Sequence, residues 1–146
     1  MTRPTWIVVA DGARGRIFSR AHGKKELDSA LPFELVQSRS PMHDRVTDRG
    51  GQTHESAGPG GHTKSKSVDA KEHDQQVLAK RIADAIRHGR TENRFEKIVL
   101  IAPPAFLGQL RGALDEPSRK LVSASHAKDL SGLNPPQLQE RLLELD

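Results

Sequence analysis

The chain lacks cysteine and tyrosine, and only 3% of its residues are aromatic. Without cysteine it can form neither a disulfide framework nor a thiolate zinc site, which is typical of proteins from a reducing cytoplasm. The scarcity of aromatic side chains argues against a surface on which nucleic-acid bases stack. No apolar run approaches the ~20 residues of a membrane-spanning helix, and the N-terminal segment becomes charged too early for a signal peptide. These absences predict a cytoplasmic protein with no membrane segment.

The positive charge is concentrated in the first half of the chain. The 146 residues, a length that suits one domain over 1–146, carry a net charge of +4. Residues 1–66 hold eleven Lys and Arg against seven Asp and Glu, whereas residues 67–146 hold twelve of each. This asymmetry favours an anionic partner such as nucleic acid. Ordinary surface charge that keeps a protein in solution explains it equally well.

A long polar segment, residues 38–68, separates two patterned parts of the chain. It contains five of the twelve glycines, and its only large apolar residues are Met42, Val46 and Val68. Compact domains rarely keep a structureless loop of this length unless the loop is functional or disordered. The sequence therefore predicts a long, glycine-rich flexible loop within the single domain.

The patterned parts predict five strands and three helices. Strands are expected at residues 5–10, 15–20 and 33–37 before the loop, and at 97–102 and 121–125 after it. Asp69 and Glu72 form a capping box that opens the first helix, and Gly89 suits its end. The second helix starts at Pro103-Pro104, and Asn134 caps the third. The expected buried stripes of the helices are Leu78, Ile82, Ala85 and Ile86; Phe106, Leu107, Leu110 and Leu114; and Leu138, Leu142 and Leu145.

The resulting order is β-β-β-(long loop)-α-β-α-β-α. Three strands in hairpin succession followed by alternating helices and strands imply an α/β fold, with a mixed sheet covered by helices. This is the order of the ribonuclease H-like fold, which does not by itself give a function.

Acidic residues suggest one enzyme class without completing its site. A nuclease of the ribonuclease H type needs several carboxylates around two metal ions. Asp11 follows the first strand and Glu72 lies on the first helix, but the fourth strand runs into Pro103-Pro104 with no acid. Asp11 is more simply explained as a turn residue beside Gly12. The seven histidines form no metal-ligand pattern, and no phosphate-binding or dinucleotide fingerprint is present, so no metal or cofactor is predicted.

The tripeptide Gly50-Gly51-Gln52 is the sharpest chemical signal of the loop. Adjacent glycines allow backbone conformations closed to other residues and a close approach to a ligand. The Gln52 amide can both donate and accept hydrogen bonds, so it could hold a water molecule against an ester in a narrow RNA-lined site. The flanking basic residues that could contact phosphates are Arg45, Arg49, Lys64 and Lys66.

Several ordered blocks of the sequence resemble the bacterial host attachment protein family. They are WIVVADGARGRIF, SAGPGGHTKSKSVDAKEHDQ, VLIAPPAFLGQLRGAL and AKDLSGLNPPQLQERL. Together they cover nearly the whole chain. The family name refers to a role in attachment to host cells, and the resemblance implies no particular biochemical activity.

A more distant resemblance links the chain to the middle domain of archaeal and eukaryotic peptide-chain release factors and of Pelota-like rescue proteins. That domain has the ribonuclease H-like order, and its GGQ loop promotes hydrolysis of peptidyl-tRNA in the peptidyl transferase centre. Gly50, Gly51 and Gln52 stand in the corresponding loop here, which implies that they are the catalytic residues. The chain shows neither the stop-codon-reading domain nor the C-terminal domain, so codon-dependent termination is not expected.

Two hypotheses of function follow. In the first, the protein associates with the ribosome, tRNA or rRNA and hydrolyses peptidyl-tRNA through Gln52. In the second, it is a non-catalytic binding module, which contacts RNA or a protein partner through its basic first half. An attachment or regulatory role through protein partners, with no nucleic acid, is the alternative to both.

Overall fold

The computed structural model describes residues 2–32, 34–37 and 60–145. In chain order the elements are β1 (Thr5–Ala10), β2 (Arg14–Arg20), β3 (Asp28–Ser29), β4 (Leu35–Val36), α1 (Gly60–Thr91), β5 (Lys97–Ala102), α2 (Pro104–Ala113), α3 (Glu116–Arg119), β6 (Val122–Ala127) and α4 (Pro135–Leu145). No helix in these ranges is both long enough and apolar enough to cross a bilayer.

The described strands form one mixed sheet in the order β3-β2-β1-β5-β6, with β4 pairing to the start of β2. β1 and β2 are antiparallel, whereas β5 runs parallel to β1 and β6 runs parallel to β5. A hairpin therefore continues into parallel strands through helical crossovers, as such connections require. The predicted α/β class with a mixed sheet and covering helices is confirmed.

Helices cover both faces of the sheet, because alternate residues of each strand point to opposite sides. On one face, Trp6 and Val8 of β1 pack with residues of α1 and α2. On the other face, Ile7 and Val9 pack with Leu138 and Leu142 of α4. The predicted stripes are largely confirmed: Ala85 and Leu145 are only partly buried, and the other nine residues are buried.

The predicted third strand is wrong in its extent. In place of one strand at 33–37, the chain pairs with β2 twice: Asp28 and Ser29 lie beside Ser19 and Phe18, and β4 lies beside residues 14 and 15. β3 carries no apolar pattern in its two exposed residues. Its conformation is imposed by hydrogen bonding to β2, which sequence periodicity does not record.

The first long helix begins at Gly60 and not at the predicted Asp69. Residues 60–68 were assigned to the loop, so the predicted boundary of that loop is wrong at its C-terminal end. Residues 62–68 contain neither glycine nor proline, and a helix that has nucleated extends with one hydrogen bond for each added residue.

The same helix ends beyond Gly89, which was expected to be its C-terminal residue. Asn93 has a positive φ of 58°. The Arg94 N–H donates to the Gly89 carbonyl and the Asn93 N–H donates to the Arg90 carbonyl, at 2.9 and 3.0 Å. These two bonds form a Schellman motif in which asparagine takes the left-handed position. Gly89 is instead buried under Trp6, where a Cβ atom would overlap the indole ring.

The C-terminal half follows its predicted pattern closely. β5 has the predicted bounds, and α2 begins at the second proline. The Asn134 side chain accepts from the Gln137 N–H, and the Gln137 side chain accepts from the Asn134 N–H, both at 3.0 Å. This reciprocal cap opens α4 as predicted. The one-turn helix α3, capped by Asp115, was not predicted.

Candidate functional site

The sequence-predicted site residues lie mostly outside the described part of the chain. Gly50, Gly51, Gln52, Arg45 and Arg49 belong to residues 38–59, which are outside it. Lys64 and Lys66 lie in the first two turns of α1.

The described residues show where this segment leaves and re-enters the fold: it leaves after Gln37 and re-enters at Gly60, the first residue of α1. The residue before the segment, and a residue fifteen positions into α1, both meet the turn between β1 and β2. The Gln37 N–H donates to the Ala13 carbonyl at 2.7 Å, and Gln37 Nε2 donates to the Gly12 carbonyl at 2.8 Å. On the α1 side, Gln75 packs so closely over Gly12 that a Cβ atom there would lie 2.5 Å from Gln75 Nε2.

α1 projects beyond the carboxyl end of β1. Gly89 of α1 contacts Trp6 near the start of β1, and Gln75 contacts Gly12 just past its end. Helix and strand therefore run in opposite directions. Gly60 lies fifteen residues before Gln75, and a rise of 1.5 Å per residue puts it about 22 Å further along the helix axis.

Asp11 forms the β1–β2 turn. Its Oδ1 accepts hydrogen bonds from the N–H groups of Ala13 and Arg14 at 2.7 and 3.0 Å. A carboxylate that bonds the backbone two and three residues later stabilises a tight turn. The turn interpretation of Asp11 is therefore confirmed. Among the described residues, no three His, Cys, Asp or Glu side chains come together as metal ligands.

A second aspartate and a buried serine complete the surroundings of this turn. Ser131 Oγ lies 2.7 Å from Asp11 Oδ2 and 2.6 Å from Asp129 Oδ1. A hydroxyl has one proton, so it donates to one carboxylate at a time. Burial raises the pKa of Asp11, but the hydrogen bonds from Ser131, Ala13 and Arg14 together lower it below the ordinary value of 3.8.

Two arginines of the basic first half donate to backbone carbonyls of the segment before α4. Arg16 Nη2 donates to the backbone carbonyls of Ser131 and Leu133, at 2.9 and 2.8 Å. Arg14 Nη2 reaches the Ser131 carbonyl at 3.4 Å. Burial lowers the pKa of Arg16, and the opposing charge of Glu34 acts against that change. The half-buried Arg16 guanidinium holds the segment before α4 against the β1–β2 turn, whereas Arg14 is exposed.

A shallow cleft of about 440 Å³ lies beside the C-terminal half of α1. Its apolar lining comes from Leu31, Leu35 and Ala85, and its polar rim includes His88 and Arg94. The Arg94 guanidinium donates to the Ala30 carbonyl at 2.7 Å.

Comparison with known proteins identifies the family. The family described as proteins required for attachment to host cells matches residues 6–142. The chain belongs to this host attachment family. The match spans all six strands except the first residue of β1, together with most of α4. A search of curated proteins finds no match for the chain.

The fold brings together two of the blocks that carry the family resemblance. WIVVADGARGRIF supplies Asp11, Arg14 and Arg16, and AKDLSGLNPPQLQERL supplies Asp129 and Ser131. Asp11 and Ser131 are separated by 120 residues along the chain. Sequence reasoning missed Gln37, Gln75, Asp129 and Ser131. The one local signal was Asp129-Leu130-Ser131, whose carboxylate and backbone spacing is typical of an aspartate turn.

Proposed function

We propose that this host attachment family protein is an RNA-binding module of the ribosome or of tRNA, with the fold of the release-factor middle domain. The sheet order supports the fold part of the proposal, and the place of residues 38–59 between the short strands and the long helix carries the functional part. An antiparallel β1–β2 pair and parallel β5 and β6, in the order β3-β2-β1-β5-β6, agree with the ribonuclease H-like order expected of that domain. The finer fold assignment is part of this proposal.

The position of residues 38–59 supports the same function. They stand between the last short strand of the first group and the long helix, where the resemblance expects the GGQ loop. Gln37 holds the N-terminal flank at the Asp11–Ala13 turn, and the C-terminal flank is the start of α1, whose Gln75 packs on the same turn. A loop whose flanks are fixed loses less conformational freedom when it enters a confined site.

The charge of this region suits an RNA partner. Residues 38–66 hold five Lys and Arg against three Asp and Glu. Lys64 and Lys66 belong to the part of α1 that projects beyond the sheet. Phosphate contacts of this kind supply affinity without sequence specificity.

Gln52 promotes hydrolysis of the peptidyl-tRNA ester in this proposal. Its side-chain amide accepts a hydrogen bond from the attacking water and donates another, which orients the water towards the ester carbonyl carbon. The water oxygen bonds to that carbon, and the ester bond to the tRNA ribose oxygen breaks. The displaced ribose oxygen takes up the proton that the attacking water loses, which leaves a free peptide acid and a deacylated tRNA.

Sedimentation with ribosomes tests the binding part. The wild-type protein is expected to co-migrate with ribosomes at low salt and to dissociate as salt rises, because phosphate contacts release counterions. The double variant Lys64→Glu/Lys66→Glu should weaken binding at least tenfold. Lys24→Glu/Lys25→Glu is the matched control, since it makes the same charge change at exposed positions of the β2–β3 connection. Wild-type protein that stays at the top of the gradient at both low and moderate salt would contradict the proposal.

A peptide-release assay tests the catalytic part separately. Gln52→Ala should keep salt-sensitive ribosome binding but reduce release of labelled peptide by 10²-fold or more, as for loss of a group that acts in the transition state. Gln76→Ala, an exposed amide on α1, should leave both unchanged. If Gln52→Ala released peptide as fast as wild type, the tripeptide would have no catalytic role and the RNA-binding role would stand alone.

A protein-binding role in attachment or regulation, without nucleic acid, is the second candidate function. One observation favours it: Arg14, Arg16 and Arg94 donate to backbone carbonyls of the fold. Part of the positive charge therefore serves the protein's own structure. Binding partners that are retained at high salt would support this candidate, because protein contacts release fewer counterions than phosphate contacts do.

A further inference from the structure

The cleft beside the C-terminal half of α1 lies away from the start of that helix, which the proposed function uses. Its volume of about 440 Å³ is within the range of small-molecule sites, roughly 300–1,000 Å³. Ala85 in its lining stands nineteen residues after Lys66 on α1. A rise of 1.5 Å per residue puts the two about 28 Å apart along the helix axis. Binding in the cleft is therefore a separate question from binding at the start of α1.

The apolar lining of the cleft is aliphatic. Leu35 is buried, whereas Leu31 and Ala85 are half-buried and keep part of their apolar surface in contact with water. A ligand that covers this surface removes it from water, which favours binding. The described lining contains no phenylalanine or tryptophan, so a nucleobase or another flat ring has no aromatic side chain to stack on. The lining therefore suits an aliphatic group.

The polar rim of the cleft favours an anion. Arg87, His88 and Arg94 belong to it, and Asp84 is the one acid among its described residues. Asp84 Oδ1 lies 3.4 Å from Arg87 Nη2, so its charge is already opposed within the rim. A rim in which basic side chains outnumber acidic ones attracts a negatively charged group and repels a cation.

Arg94 is the cation that the fold holds in place. Its Nη2 donates to the Ala30 carbonyl at 2.7 Å, and its guanidinium carbon lies 5.2 Å from the centroid of the Trp6 ring. The Ala30 carbonyl is uncharged, so this bond does not neutralise the guanidinium. A guanidinium has five N–H donors in a planar fork that matches the two oxygens of a carboxylate. Because its position is fixed beforehand, the side chain loses little conformational freedom when it binds a ligand.

We propose that this cleft binds a small aliphatic carboxylate. The aliphatic chain of the ligand covers Leu31, Leu35 and Ala85, and its carboxylate accepts hydrogen bonds from the Arg94 guanidinium. The two halves of the ligand thus match the two halves of the cleft, an apolar lining and a basic rim. Charge-assisted hydrogen bonds to a guanidinium supply the orientation, and the covered apolar surface supplies most of the affinity.

The residues of α1 set the direction of the ligand. Ala85 and His88 are one turn apart on the same face of the helix, and Thr91 follows one turn later. The lining therefore changes from apolar to polar towards the C-terminal end of α1, where the carboxylate lies. The carbonyls of Gly89 and Arg90 at that end accept backbone N–H groups, so they do not meet the carboxylate as unpaired acceptors.

Octanoate, an aliphatic carboxylate, is the probe for the wild-type protein. In an NMR titration below its micelle concentration, it should shift the backbone amide signals of Leu31 and Ala85, with a dissociation constant of about 1 mM or less. The signal of Gly108 in α2, outside the cleft, should not move. Octanol has the same chain without the charge, and acetate has the charge without the chain, so each should bind at least tenfold more weakly. Octanol that binds as tightly as octanoate would overturn the role of the carboxylate.

Two matched pairs of variants locate the site. Ala85→Glu places a negative charge in the apolar lining and should raise the dissociation constant of octanoate at least tenfold, whereas Ala105→Glu makes the same change at an exposed position of α2 and should not alter it. Arg94→Gln keeps an amide that can donate to the Ala30 carbonyl but removes the charge, and it should weaken binding at least tenfold. Arg111→Gln, at an exposed position of α2, is its control.

Undiminished binding by either cleft variant would overturn the proposal, and so would equal losses in a variant and its control. Circular dichroism checks that each variant is folded. The comparison of octanoate with octanol and acetate uses the wild-type protein, so it decides the proposal even if a variant fails to fold. None of these measurements involves ribosomes, so this proposal and the proposed function can fail separately.

Discussion

At residue 89 the identity of the amino acid is dictated by Trp6 and not by the end of a helix. Gly89 is inside α1, buried, and in contact with the indole ring. The ring is itself held by Phe95, with centroids 4.5 Å apart, and by the Arg94 guanidinium 5.2 Å above it. Glycine near the end of a helical pattern usually predicts the helix C-terminus. Here Gly89 instead makes room for Trp6, the largest side chain of the core.

We therefore expect Gly89→Ala to destabilise the protein, although alanine favours helix. Overlap of the new methyl group with Trp6 should lower the free energy of unfolding by about 1–3 kcal/mol. Gly108→Ala is the matched control in α2, where a Cβ atom would meet open space, and it should raise the free energy of unfolding by about 0.5–1 kcal/mol. Urea unfolding followed by Trp6 fluorescence measures both. Equal stabilisation of the two variants would contradict the packing role of Gly89.

At the scale of elements, the predictions succeeded where local chemistry decides and failed where a neighbour decides. β5 is a continuous apolar run, and α4 has its own reciprocal cap, so both were found from sequence. β3 exists only because β2 offers hydrogen bonds to two exposed residues. The start of α1 was misplaced because Asp69 and Glu72 form a cap-like pair inside a helix that had already begun at Gly60.

The role of α4 can be tested with two adjacent leucines. Leu142 is 3% exposed and packs on the second face of the sheet, whereas Leu143 is 51% exposed. Leu142→Ala should lower the free energy of unfolding by about 2–5 kcal/mol through lost burial and a cavity. Leu143→Ala should change it by less than about 0.5 kcal/mol. Similar losses in the two variants would mean that α4 presents a different face to the sheet.

At the scale of the whole molecule, one polar cluster joins the two ends of the chain. Asp11 and Arg16, near the N-terminus, hold Ser131 and Leu133 just before α4. The same turn receives Gln37, which immediately precedes residues 38–59, and Gln75, which lies fifteen residues after the start of α1. The β1–β2 turn therefore lies between the C-terminal segment and the point where residues 38–59 leave the sheet.

Because this cluster joins distant parts of the chain, protonation of Asp11 should lower the free energy of unfolding of the whole protein at acidic pH. The pKa of Asp11 in the folded state is below its ordinary value of 3.8. Its contribution to stability is therefore complete above that value and is lost as the pH falls through the folded pKa. Asp11→Asn should be less stable than wild type at pH 7, and the difference should shrink below about pH 4. Unfolding by urea between pH 7 and pH 3 measures the effect.

A surface aspartate gives the control for this titration. Asp84 is exposed, and its Oδ1 lies 3.4 Å from Arg87 on the same helix. An exposed pair of this kind contributes little, so Asp84→Asn should change the free energy of unfolding at pH 7 by less than about 0.5 kcal/mol. If the difference between Asp11→Asn and wild type were the same at pH 7 and pH 3, the Asp11 carboxylate would not be stabilised by its partners.

The sequence by itself determined the class of the fold and the chemistry that the chain can offer. Apolar runs, helical stripes and caps are local patterns, and they were sufficient for the mixed sheet, for α2 and α4, and for Asp11 as a turn residue. Only the tertiary structure decided which distant residues meet. Ser131 reaches Asp11 across 120 residues, and Gln75 and Gln37 converge on Gly12 because α1 and β4 both pack beside β1 and β2. No local sequence pattern predicts such contacts, because they depend on how the strands and helices pack against one another.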